Sequence, residues 1–158
     1  MNASFTFIRR LGLVAAVTLT LTASARANAP AGRYTVSSGT VFDTKTKLTW
    51  QQTVSSMTYV WMDAVTYCGS TSVGPSRTIG GTGWRVPTLK ELLTIIDYSQ
   101  SNPPAIDSTA FPGTPLSFFW SATSLLGQSG GSVWIVDSSE GFVTSEDPSQ
   151  LYYVRCVR

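Results

Sequence analysis

The chain has two cysteines, Cys68 and Cys156, and whether they are joined decides how far its two halves can separate. The answer depends on the compartment. Arg9 and Arg10 precede an apolar run from Leu11 to about Leu21, and Ala25-Arg26-Ala27 has the small-x-small form of a cleavage site. Residues 1–27 therefore read as a secretory signal peptide, placing the chain in the periplasm or outside a bacterial cell. The apolar run is short for a membrane span, no later segment resembles one, and no cysteine follows the cleavage site to carry a lipid. A retained N-terminal anchor is the rival reading. In an oxidising compartment an even cysteine count argues for one disulfide, with two buried thiols as the alternative. Closing so long a loop stabilises by roughly 4 to 5 kcal/mol in the chain-entropy model.

Removal of the leader also changes the charge. Without Arg9, Arg10 and Arg26 the 11 basic residues become 8, against 9 acidic ones, a net charge of −1. No run of Lys or Arg remains, so nucleic acid is not an expected partner. Residues 28–158 are enough for one domain with its own core. We divide them into a lead-in with a first strand, 28–39, and the domain proper, 40–158.

Along that stretch, "RYTVSSGTVFDTKTKLTWQQ" alternates β-branched and aromatic runs with turn residues and predicts short strands and a hairpin. Trp61, Ala64, Val65 and Cys68 follow helical spacing, with Gly69 placed as a C-cap. A loop rich in Gly, Ser, Thr and Pro runs from Ser70 to Gly83. Thr88, after Pro87 and three residues before Glu91, completes a capping box. Leu89, Leu92, Leu93 and Ile96 then predict an apolar helix face of about three turns. "SNPPAIDSTAFPGTPLSFF" holds four prolines and little periodicity, so a long irregular connection is expected. "FFWSATS", "SVWIVDSSEGFVTS" and "LYYVRCVR" give three strand-like runs, the middle one turning at residues 138–141. Strands, two helices, a long loop and more strands predict an α+β fold with antiparallel sheet.

The chemistry open to such a chain is narrow. There is no histidine, which removes the commonest general base and metal ligand and rules out Ser-His and Cys-His schemes. Zinc lacks ligands. Asp97, Asp107, Asp137, Glu140, Glu146 and Asp147 could supply a glycosidase pair, but carboxylates in such turns are ordinary turn formers, so the chain is read as not an enzyme. No cofactor is required; calcium is possible through Glu140, Glu146, Asp147 and the turn at 137–139, although no loop has EF-hand spacing. Five tryptophans suggest sugar stacking, yet Trp50, Trp84, Trp120 and Trp134 adjoin strand-like or tight-turn segments where large rings serve as core. Trp84 and Arg85 are read the same way, packing the turn before the capped helix, with Arg85 meeting carbonyls or a carboxylate in the interior; an anionic ligand on Arg85 is the alternative.

Taken in order, "LTWQQ", "VWMDAVTYC", "GWRVPTLKELLTIID", "AIDSTAFPGTPLSFFWSATS", "VWIVDSSEG" and "YYVRCVR" resemble the bacterial domain of unknown function 1566, also described as the C-terminal domain of the Legionella collagen-like adhesin. The resemblance runs from about Thr40 to Arg158, and its most specific block holds Trp84, Arg85, Pro87, Thr88 and Glu91. It implies a C-type-lectin-like fold: two helices packed on short antiparallel strands, with a disulfide from the first helix to the last strand, here Cys68 to Cys156. It also implies an adhesin-like role on sulfated polymers or host surfaces. This chain departs from that pattern by lacking a collagen Gly-X-Y tract and by its net charge of −1. The lectin calcium motifs and the reactive cysteine pair of formylglycine-generating enzymes are absent.

These readings predict a secreted or periplasmic binding module for a glycan, a cell-surface polymer or another protein, with oligomeric state undetermined. The alternatives are a calcium-dependent carbohydrate-active enzyme and a structural subunit of the cell envelope. Because long loops carry recognition without disturbing a core, the expected ligand contacts are Asn102, Asp107, Ser138, Ser139, Glu140 and Asp147, with Glu146 beside them.

Overall fold

The structure, a computed structural model, describes residues 29–69, 81–125 and 131–158. The expected signal peptide and most of the loop after Cys68 lie outside the described residues. Strands β1 (Tyr34–Ser37), β2 (Thr40–Asp43) and β3 (Thr49–Gln51) form one antiparallel sheet in that order. The first turn has only two residues, and both Ser38 (φ 47°) and Gly39 (φ 77°) take the left-handed conformation that a tight hairpin requires. Arg33 joins the lead-in to this sheet through a 3.0 Å ion pair with the fully buried Asp43. The same guanidinium donates to the Thr94 carbonyl.

A second antiparallel sheet follows the long connection: β4 (Phe118–Leu125), β5 (Ser132–Asp137) and β6 (Val143–Glu146). Its pairing shifts register between Trp120 and Ser124. The described residues are thus mixed α and β, mainly two small antiparallel sheets, with two short helices.

Helix α1 (Trp61–Gly69) buries Ala64 and Cys68, but Val65 is 37% exposed and stands off the expected inner face. Gly69 is the helix's last residue rather than its cap. Helix α2 (Leu89–Leu93) has the expected capping box, yet spans only five residues instead of three turns. Beyond it the chain tightens into i→i+3 bonds, Ile95 N–H to Leu92 O and Ile96 N–H to Leu93 O, both 3.3 Å. Asp97 then donates instead to Ala105 O at 2.8 Å, so pairing with the incoming loop ends the helix. Leu92, Ile95 and Ile96 are buried in consequence, while Leu89 and Leu93 only pack against the core.

The final run, expected to be a strand, makes isolated bridges instead, because its residues bond to different neighbours. Tyr152 exchanges bonds with Tyr59; Tyr153 accepts from Trp120 and donates to Phe118; Val157 pairs with Arg85; Arg158 pairs with Thr49. The C-terminal segment therefore connects both sheets to the start of α1 and to the Trp84 turn. Cys156 lies within it and is joined to Cys68 of α1 by the disulfide.

Two buried clusters result. One gathers Trp50, Leu92, Ile95, Ile106, Phe111 and Phe119; the other surrounds the disulfide with Trp84, Trp120, Ile135 and Val154. Trp134 is only half-buried on β5, so three of the four tryptophans expected in the core are fully inside.

Candidate functional site

The most specific sequence block is absorbed by structure. Trp84 is 5% exposed, with the Arg158 guanidinium 4.7 Å from its ring centroid. Arg85 does meet a carboxylate, but at the surface: its fork grips Glu91 by two bonds, Nη1 to Oε2 at 2.8 Å and Nη2 to Oε1 at 2.7 Å, with 47% of its side chain exposed. Glu91 Oε2 also accepts from the Thr88 N–H at 2.8 Å. The Arg85 fork, together with those cap bonds, holds the Glu91 carboxyl down at about 2. The depression beside Arg85, about 380 Å³ and lined by Val65, Gly69, Val86, Thr88 and Ala122, therefore has apolar walls and a cation already neutralised.

A different surface brings together part of the expected loop set. The connection after α2 and the β5–β6 turn meet where Ala105 N–H donates to Ser138 O at 2.8 Å. Between them lies an open groove of about 260 Å³, lined by Tyr98, Gln100, Ser101, Asn102, Pro103, Ala105, Ser139 and Glu140. Asn102 and Glu140 are exposed and Ser139 half-buried. Asp137 shapes the turn, its Oδ1 accepting from the Ser139 N–H at 3.1 Å and its carbonyl from the Gly141 N–H at 2.9 Å.

The other expected contacts lie elsewhere. Ser138 is 1% exposed, its hydroxyl donating to Pro115 O and accepting from the Ser117 N–H. Asp107 is 7% exposed, and its Oδ1 accepts from the N–H groups of Thr109 and Ala110. Its short side chain turns the backbone, and it borders a separate depression beside the lead-in. Asp147 accepts from the Ser149 N–H and hydroxyl past the end of β6, and Glu146 is paired within that strand. Among the described residues no three His, Cys, Asp or Glu side chains gather as a metal-binding group, so the acidic residues at 137–147 are spread by the hairpin rather than pooled.

Two important residues escaped the sequence reading. Tyr98 closes one end of the groove, 68% exposed, yet its hydroxyl donates to Gly141 O at 3.1 Å. Gly141 (φ 78°) is packed so tightly that a Cβ there would stand 2.6 Å from both Tyr98 Cε1 and Ile96 Cγ2. The signal available was the pairing of Glu140-Gly141 with an aromatic just beyond the apolar helix face. Arg155 is the second. It is 1% exposed, donating to Gln51 O at 2.7 Å, to Gln52 O, and to Thr114 Oγ1 at 2.8 Å, with its guanidinium 4.7 Å from the Phe111 centroid. Burial pulls its pKa down, and among the described residues no carboxylate forms an ion pair with it. In sequence it is one polar residue in an alternating run, which predicts a solvent-facing side chain.

A family model described as the Lcl C-terminal domain matches residues 39–158, a span holding both helices, the second sheet, the groove and the disulfide. No curated protein matches the chain.

Proposed function

The chain belongs to the Lcl C-terminal domain family, and on that premise we propose that it is a non-catalytic, adhesin-associated binding module, exported from a bacterial cell, that recognises a glycan or other cell-surface polymer through the groove between Tyr98 and Glu140. The observation carrying this reading is the convergence of two irregular segments into one open groove whose hydrogen-bonding side chains, Asn102, Ser139 and Glu140, are not consumed by the core. Few polar groups placed around a concavity beside an aromatic wall are what small-ligand sites share. The scaffold beneath, with a disulfide from α1 to the C-terminal segment, supports a lectin-like arrangement in which loops recognise and strands hold. Binding in this reading needs no cofactor, and calcium would act only if recruited jointly with ligand.

The test is a glycan array probed with the mature protein, with and without calcium, comparing Asn102→Ala and Glu140→Ala with Lys45→Ala and Lys47→Ala on the β2–β3 turn. Loss of binding in the groove variants alone is the expected result. Loss only in the lysine variants would move recognition to the hairpin, and release of new reducing ends from a bound glycan would make the protein an enzyme.

A further inference from the structure

Resting on the groove as the binding site, we infer that its ligand is an uncharged pyranose unit laid against the Tyr98 ring, and not a sulfated or otherwise anionic polymer. Charge comes first. Glu140 is the sole charged side chain among the groove's lining residues, and the ion pairs of the described residues, Arg33 with Asp43 and Arg85 with Glu91, leave it uncompensated. Behind the lining, Asp97 accepts from Gln100 Nε2 at 3.1 Å with the Arg33 charge acting on it, and Asp137 holds the Ser139 N–H, so neither adds a cation to the groove. A polyanion entering here would meet the Glu140 carboxylate and no lining cation to answer its own charge, and like-charge juxtaposition is a bar to the wrong partner.

The ring supplies the attraction. An exposed tyrosine ordinarily gives up rotamer freedom when it grips a ligand, but Tyr98 is already held at its phenolic end. Its hydroxyl is anchored on Gly141 O and its edge abuts the Gly141 backbone. A preorganised aromatic offers large amphipathic contact area at low entropic cost. A pyranose has the matching shape, with a C–H face to lie on a ring and hydroxyls at its rim. Asn102 can both donate and accept toward those hydroxyls, while the Glu140 carboxylate accepts from them. The groove's volume of about 260 Å³ suits one unit of a chain rather than a whole oligomer.

The test titrates the mature protein with neutral gluco-, galacto-, manno- and N-acetylglucosamine oligomers and with a heparin-derived hexasaccharide, at low and high salt. At least one neutral oligomer should bind with little salt dependence. Tyr98→Ala should weaken that binding by roughly tenfold or more, measured at a temperature where circular dichroism shows the variant still fully folded. Tyr98→Phe, which keeps the ring and frees its anchor, should fall between the two. The inference is overturned if no neutral oligomer binds, if Tyr98→Ala leaves affinity unchanged, or if the sulfated oligomer is preferred with steep salt dependence. A sulfated ligand lost in Asn102→Ala would leave the groove as the binding site and sink only the ligand class. One lost only in Lys45→Ala and Lys47→Ala would sink both.

Discussion

Arg155 and Glu91 show how differently two charged side chains serve this fold. Arg155 is a buried cation stabilised by carbonyls, a hydroxyl and an aromatic face instead of a carboxylate. Its planar fork reaches β3 and the long connection at once, which a lysine could not reproduce. Arg155→Lys should therefore destabilise by about 2 kcal/mol or more, chiefly through acceptors left unmatched, as read by chemical denaturation. Glu91 lies at the surface and acts through pH. Its folded value of about 2 lies below the ordinary 4.5, so its stabilising bonds are complete above the unfolded value and are lost as pH falls from about 4.5 toward 2. Glu91→Gln should cost about 1 kcal/mol near neutrality, in the range of a lost cap. The gap in melting temperature between it and the parent protein should narrow steadily as the pH is lowered through that window.

At the scale of elements, no helix or strand here is long enough to stand alone, and each is completed by something outside it. Helix α2 begins on a local signal, the Thr88–Glu91 box, and ends on a remote one, the Asp97 to Ala105 bond. The long connection read as irregular from its prolines and its lack of periodicity, and it is. It nevertheless sends Ala105, Ile106, Ala110 and Phe111 into the core, because bridges and side-chain caps satisfy its backbone without regular structure. The C-terminal segment depends most on others, so the disulfide should matter beyond its own bond. Replacing Cys68 and Cys156 together by serine should lower stability by roughly 4 to 5 kcal/mol in the chain-entropy model. Hydrogen exchange should then rise first at Arg85, Gln51 and Thr49, whose amides donate to that segment.

The groove is a property of the whole molecule, since its walls come from two segments docked by the backbone bonds of Ser138 to Ala105 and Ser117, by the buried Ser138 hydroxyl and by the Tyr98 hydroxyl. Gly141 lies at the point of docking. A Gly141→Ala protein would carry a side chain in the left-handed region and a methyl group inside the contact distance of Tyr98 and Ile96. It should lose about 1 to 3 kcal/mol and swing Tyr98 out of register. Nuclear magnetic resonance of the Tyr98 ring would detect the displacement, and ligand binding should weaken together with it.

Much of this molecule is written locally. The hairpin turns follow from Ser38-Gly39 and from the 138–141 stretch, the α2 start from the hydroxyl and carboxylate three positions apart, and the oxidised cysteines from an even count in a chain read as exported; each depends on groups a few residues apart or on the compartment expected. The lining of the proposed groove was legible in part on the same terms. Asn102, Ser139 and Glu140 are polar residues of irregular segments and do reach the groove, while Asp107 and Ser138 have the same chemistry and are turned inward. Nothing in residue type separates the two sets, because short polar side chains satisfy a ligand and a backbone N–H equally well. Docking decided among them, as it decided that Arg155 would be buried, that Arg85 would remain at the surface, and that α2 would stop after five residues. For Arg155 the deciding partners, Gln51, Gln52 and Thr114, are distant in sequence, so periodicity and local propensity carry no trace of them.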